Sequence, residues 1–157
     1  MPQQEQRVNG NDKTNANSVP ISPARRVIVR ATTLVADDNG AHLVFDAAAG
    51  YTITLPPAQP GLFFSVSVDT TVTSVVARLA CATGDFFKGT ILQGADTTFT
   101  QVAVTANGTS HLAWEGNGST TGGIIGDFMH LFAENGIWRI FGQNTATGTE
   151  ATPFKTS

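Results

Sequence analysis

Phe128-Met129-His130-Leu131-Phe132-Ala133, then Glu134-Asn135-Gly136, then Ile137-Trp138-Arg139-Ile140-Phe141: two short aromatic and branched runs flank an Asn-Gly pair. That pattern is a β-hairpin signature, because Asn-Gly supplies the positive φ values a tight reversal between strands requires. Upstream, the same pattern recurs. Leu62-Phe63-Phe64-Ser65-Val66-Ser67-Val68 alternates and turns Phe64, Val66 and Val68 inward. Tyr51-Thr52-Ile53-Thr54-Leu55 alternates too, with Tyr51, Ile53 and Leu55 on one side. Pro56-Pro57 stops it, since proline removes the donor a continuing ladder needs. Arg26-Val27-Ile28-Val29-Arg30, Thr32-Thr33-Leu34-Val35, His42-Leu43-Val44-Phe45 and residues 73–79, 88–93, 99–104 and 110–114 read as further strands. Asp37-Asp38-Asn39-Gly40 is a second Asn-Gly turn, expected to close a tight hairpin. No stretch has helical amphipathicity. About nine or ten short strands at this spacing predict an all-β fold, an antiparallel sandwich or barrel of jelly-roll type.

Three segments follow from composition: an extended N-terminal arm over 1–24, a β body over 25–142 and a polar C-terminal tail over 143–157. The arm is rich in Asn and Gln, and it contains Pro20 and Pro23 with Val8, Val19 and Ile21 as isolated apolar points. Fully extended, 24 residues span up to about 80 Å, enough to cross a neighbouring subunit. The first thirty residues carry a net +3 and the remainder a net −6 within a total of −3. Charged residues make up 13% of the chain, well below the roughly 25% of an ordinary soluble domain. Such a surface suits a molecule covered by neighbours.

Composition also narrows the function classes. A pI near 5.4 argues against general nucleic-acid binding, which needs a basic face. Cys81 stands alone, so no disulfide framework or cysteine-based zinc site is expected. The N-terminus lacks the basic start and apolar stretch of a secretory signal. No apolar run approaches the ~20 residues that span a bilayer. The expectation is a chain made and assembled in a cytoplasm, with no membrane partner and no cofactor.

The search for chemistry finds little. His42, His111 and His130 share no metal-ligand spacing. Asp37-Asp38-Asn39-Gly40 lacks the later ligands of a calcium loop. No nucleophile elbow is present. Ser110 and His111 are adjacent, so on a strand they point to opposite faces and cannot pair. Cys81, in Leu79-Ala80-Cys81-Ala82, reads as a small buried thiol. The glycine-rich stretch 116–123 has no following helix to make a phosphate cradle, and it reads as a mobile or neighbour-contacting loop. Nothing selects a carboxylate pair among Asp85, Asp96, Glu115 and Asp127. No catalytic residue, metal ligand or enzyme class is expected. Trp114 and Trp138, with Phe63, Phe86 and Phe87, contain the makings of a sugar-stacking platform. Trp138 is assigned to the core, while Trp114 and Asn117, at the glycine-rich loop, remain candidates for contact with a glycan or a neighbour.

The order of elements has a wider likeness. Leu34-Val35-Ala36-Asp37-Asp38-Asn39-Gly40 is followed by Leu43-Val44-Phe45-Asp46, by Tyr51-Thr52-Ile53-Thr54-Leu55-Pro56 and by Gly61-Leu62-Phe63-Phe64. The hairpin from Gly126-Asp127-Phe128-Met129-His130-Leu131 to Gly136-Ile137-Trp138-Arg139-Ile140-Phe141-Gly142 closes the series. Over about residues 32–142 this resembles small β-sheet virion proteins of tailed bacteriophages, notably head decoration (cement) proteins. The resemblance implies a structural role on the capsid exterior, commonly as a homotrimer, bound across boundaries of the major capsid protein. On that view the arm makes the contact. Val8, Val19 and Ile21 would serve as apolar anchors, and Arg7, Arg25 and Arg26 would meet acidic shell surface. The competing expectation is a tail or fibre domain that recognises a host glycan around Trp114.

Overall fold

The structure, a computed structural model, describes residues 27–95 and 100–157. The arm positions Arg7, Val8, Val19, Ile21, Arg25 and Arg26 lie outside the described residues. Among those described, the strands in chain order are β1 (Val27–Ile28), β2 (Thr32–Thr33), β3 (His42–Phe45), β4 (Thr52–Thr54), β5 (Phe63–Val68) and β6 (Ala77–Ala80). They continue as β7 (Phe86–Ala95), β8 (Gln101–Asn107), β9 (Ala113–Gly116), β10 (Phe128–Glu134), β11 (Ile137–Ala146) and β12 (Phe154–Lys155). The regular helical element is one 3₁₀ turn, Ala36–Asp38.

Two sheets form. The seven-stranded sheet runs β1-β3-β5-β10-β11-β7-β8 and the five-stranded sheet β12-β9-β6-β4-β2. The first six strands alternate between them, odd ones in the larger sheet and even ones in the smaller. Within each sheet they pair in parallel: Val27 lies beside His42 and His42 beside Ser65, while Thr32 lies beside Ile53 and Ile53 beside Leu79. The N-terminal half is therefore three turns of a flattened coil. The C-terminal half adds antiparallel pairs, β5–β10, β10–β11, β7–β8, β6–β9 and β9–β12, and a ten-residue parallel pairing of β11 with β7. The all-β sandwich expected from the sequence is present, but its sheets are mixed rather than wholly antiparallel. Alternation sets which face of a strand is buried; it does not set the direction of its neighbour.

The second Asn-Gly turn shows the consequence. Asn39 has φ −48° and ψ 133°, Gly40 has φ +82°, and Ala41 N donates to Asp38 O at 3.0 Å. These angles make a type II turn, in which only the third residue needs positive φ. No hairpin forms there, because β2 and β3 belong to different sheets. The first-quoted hairpin does form, with Glu134 opposite Ile137 across the two-residue loop Asn135-Gly136.

Between the sheets lie Phe45, Ile53, Leu55, Phe64, Leu79, Phe87, Ile91, Trp114, Met129, Leu131 and Trp138. Trp138 is fully buried and its Nε1 donates to Pro56 O at 3.3 Å, the core role assigned to it from sequence. Residues 143–157 are not a tail. Gln143 to Ala146 continue β11 along β7, and Phe154 pairs with Trp114 in the smaller sheet. Phe154 is buried against the rings of Phe87 and His111, and Arg78, ion-paired to Glu115, also donates to Ser157 O at 2.7 Å.

Tyr51 joins two turns of the coil. Its ring packs 5.1 Å from Phe45 and its hydroxyl donates to Val44 O. Burial raises its pKa from 10.0 to about 12. A raised folded value means that the contribution is complete below pH 10 and is lost as pH rises from 10 to about 12. Alkaline denaturation curves should therefore steepen in that window, and Tyr51→Phe should remove the steepening at the cost of one hydrogen bond. Equal pH profiles for the two proteins would contradict this role.

Candidate functional site

The residues singled out from sequence as glycan contacts are placed differently by the structure. Trp114 is 0% exposed; it stands on β9 with its ring 6.0 Å from Phe45. With the Asn144 amide oriented to satisfy both groups, its oxygen accepts from Trp114 Nε1 at 3.0 Å. The indole is thus packed and hydrogen-bonded internally, and no sugar can reach it. Asn117 is exposed, but its Oδ1 accepts from Ser119 N, Ser119 Oγ and Thr121 N at 2.9 to 3.2 Å. Its Nδ2 donates to Thr120 Oγ1 at 3.0 Å. Asn117 shapes its own loop. Of the remaining platform candidates, Trp138 and Phe87 are buried as well.

The glycine-rich segment is correspondingly well anchored. Thr121, Gly122 and Gly123 are buried. Gly118, at φ +76°, sits so close to Val72 that an added Cβ would lie 1.7 Å from Val72 O. Asp127, 1% exposed, is the clamp. Its Oδ2 accepts from Gly123 N at 2.8 Å and Ile124 N at 3.1 Å, and its Oδ1 accepts from Thr145 N at 2.7 Å. Burial pushes its carboxyl up, opposed by these backbone donors. Buried Gln93 adds a second tie, donating to Thr120 O at 2.8 Å and Ala151 O at 3.2 Å. Asp127 and the Gln93 Nε2 group fasten the loop to β7 and β11, while the buried Gln93 Oε1 has no hydrogen-bond partner.

The accessible chemistry lies on the outer face of the larger sheet. Pairing registers set three rows across β5, β10, β11 and β7. They are Phe63-Phe132-Arg139-Lys88, Ser65-His130-Phe141-Thr90 and Ser67-Phe128-Gln143-Leu92. The intervening residues Phe64, Val66, Met129, Leu131, Ile140 and Ile91 face the core. Phe128, Phe132 and Phe141 are 44%, 43% and 45% exposed. Their rings form one cluster with Phe63 and His130, with centroids 5.2 to 6.1 Å apart. Phe132 stacks on Phe141 at 18° and Phe63 on His130 at 16°. Two pairs are thus stacked, two contacts are tilted, and Phe128 meets His130 edge to face at 67°. At one end of the patch Arg139 Nε meets Glu134 Oε1 at 3.0 Å.

Beside this patch runs a polar relay. Ser67 Oγ donates to Asp69 Oδ1 at 2.9 Å, which uses its one proton. Ser67 Oγ must then accept from His42 Nε2, 3.1 Å away. That leaves Nδ1 of a neutral His42 to accept from Ser65 Oγ at 2.9 Å. The order serine, imidazole, carboxylate resembles an activated nucleophile. However, Ser65 is 3% exposed and β5 is hydrogen-bonded on both sides, to β3 and to β10. No backbone N–H pair is free there to hold an oxyanion, so the relay fixes His42 on the face.

Sequence reading missed the patch, yet a signal existed. In β10 both alternating sets are apolar or aromatic: Met129, Leu131 and Ala133 on one side, Phe128, His130 and Phe132 on the other. A strand with one wet face should not read that way. Among the described residues no group of three His, Cys, Asp or Glu side chains converges as a metal site, and no helix is long and apolar enough to cross a membrane. Burial pushes the Cys81 thiol well above its ordinary range, which disfavours the thiolate a nucleophile needs. A scan of family models finds none that matches the chain, and neither curated proteins nor solved structures yield a match.

Proposed function

We propose that this chain is a non-enzymatic structural protein that docks on other proteins, in the manner of a capsid-decorating virion protein. The observation that carries this reading is the cluster of exposed Phe128, Phe132 and Phe141 with half-buried Phe63 and His130 on one sheet face. Exposed, clustered aromatics are typical of the buried centre of protein interfaces, and a patch of this kind on a monomer is commonly a binding surface. The rings are already packed together, so little side-chain entropy is lost on docking. The likeness to phage head decoration proteins supplies the setting: a shell of repeated subunits, the major capsid protein as partner, and the 1–24 arm as a second point of attachment. Repeated weak contacts over such a shell add up through avidity.

Glycan recognition is the less favoured reading, for a geometric reason. A sugar stacks on an open ring face; here the indole of Trp114 is buried, Phe132 lies stacked on Phe141, and Phe63 on His130.

The test is localisation of the labelled chain in intact particles, together with binding of a 1–24 deletion to undecorated shells. Regular sites over the head, lost in the deletion while the body stays folded, are the expected result. A few copies at a tail tip, or deletion with unchanged coating, would overturn the decoration reading.

A further inference from the structure

We infer that the N-terminal arm of the same chain is the resident cover of the aromatic face: the segment Val19 to Pro23 lies across His130, Phe132 and Phe141 until docking displaces it. The inference rests on the reading of that face as a protein-docking surface and names how access to it is regulated.

The chain enters the sheet in line with the rings. β1 is an edge strand that begins at Val27. Val27 lies beside His42, His42 beside Ser65, Ser65 beside His130 and His130 beside Phe141. One row across the outer face therefore runs from the point of entry to the centre of the ring cluster. Val27 is itself 56% exposed, so this row begins on an open apolar group. Along it, β10 is three strand spacings from β1 and β11 is four, about 14 and 19 Å at ~4.8 Å per spacing.

The arm carries a segment that fits this span. Ser18-Val19-Pro20-Ile21-Ser22-Pro23 holds two of the arm's isolated apolar points and a Pro-x-x-Pro pattern. Proline fixes φ at about −65°, close to the polyproline II value, and segments of that kind dock on aromatic-lined surfaces with little loss of entropy. Ile21 stands six residues before Val27, about 19 Å away at ~3.1 Å per residue. It can reach β10 and β11, and Val19 reaches the same rings with chain to spare.

A patch roughly 20 Å on a side, the width of four strands, is ample for such a segment. The contact needs no high intrinsic affinity, because a short tether supplies an effective concentration in the millimolar range. A cover of that strength yields to a larger partner surface. It lowers the apparent affinity for that partner only by the fraction of molecules whose face is open. Once displaced, Val19 and Ile21 are released to act as the arm's anchors on the shell.

Methyl NMR of the full chain tests this. Ring currents should hold the Ile21 methyl signals upfield of their random-coil positions at every protein concentration, and Phe141→Asp should move them back. Fluorescence of the dye ANS, which reports exposed apolar surface, should rise several-fold in Ile21→Asp and in a 1–24 deletion. Far-UV circular dichroism of the variants should match wild type, as residue 141 is on the surface. Random-coil Ile21 methyls in the wild type, equal dye fluorescence in all proteins, or ring contacts seen only between differently labelled chains of a mixed sample would overturn the inference. Shell coating by Phe141→Asp is measured separately. Unshifted Ile21 methyls with coating lost in Phe141→Asp defeat the cover and leave the docking reading standing; shifted methyls with coating unchanged do the reverse.

Discussion

Trp114→Ala should lower the melting temperature by roughly 10 °C, without changing how the protein interacts with any carbohydrate. The indole is fully buried between the sheets, in contact with Phe45, and its N–H is matched to Asn144. Truncating a core aromatic to alanine costs about 3–5 kcal/mol, and each kcal/mol shifts the midpoint by about 2–4 °C in a chain of this length. Trp114→Phe should restore much of the volume but leave the Asn144 amide without its donor, giving an intermediate loss. Differential scanning calorimetry of the three proteins, with glycan-array binding in parallel, checks both statements. A Trp114→Ala protein of unchanged stability that had lost glycan binding would reverse the assignment of this residue to the core.

The second large effect is expected at Asp127. One carboxylate accepts from three backbone donors, Gly123 N, Ile124 N and Thr145 N. Asp127→Ala removes the acceptor from one buried donor, Gly123 N, and two part-buried ones, Ile124 N and Thr145 N, where a buried donor left unpaired costs about 1–3 kcal/mol. The summed loss should reach about 3 kcal/mol or more, with the damage centred on the 116–127 loop and the end of β11. Hydrogen exchange should show Gly123, Ile124 and Thr145 losing protection first. Uniform exchange across the molecule would argue against a local clamp.

The pH dependence carries a separate signature. Burial raises the folded pKa of Asp127 above the ordinary carboxylate value. A raised value makes the group's contribution complete below about pH 4 and progressively lost as pH climbs through the folded value. Denaturant titrations of wild type should show this decline, and Asp127→Asn, which cannot ionise, should not.

Much of the architecture is legible in local sequence. Alternation in residues 51–55 and 62–68 groups Tyr51, Ile53 and Leu55 on one face and Phe64, Val66 and Val68 on another; all are buried except Tyr51, which is half-buried. Asn135-Gly136 marks the β10–β11 hairpin because the turn chemistry is written in two adjacent residues. The candidate site was far less legible. Trp114 and Asn117 drew attention by residue type, yet their partners Asn144, Ser119 and Thr121 decide their roles. His42 and Ser65 are 23 positions apart and meet through the parallel pairing of β3 with β5, which no local pattern announces.

By itself the sequence determines most strand positions before residue 143, the inward faces of the alternating strands, the turn sites and the all-β class, because each depends on residues within a few positions of one another. Tertiary structure alone decided three further things. It set the parallel coil of the first six strands, the folding of residues 143–157 into both sheets, and the gathering of Phe63, Phe128, His130, Phe132 and Phe141 into one exposed patch. The physical reason is the same in each case. A strand's two faces are specified along the chain with period two, whereas its edges, the backbone donors and acceptors that choose a neighbour, are nearly identical in every strand. Which edges join, and so which outward side chains become neighbours, is settled only when the whole core is packed.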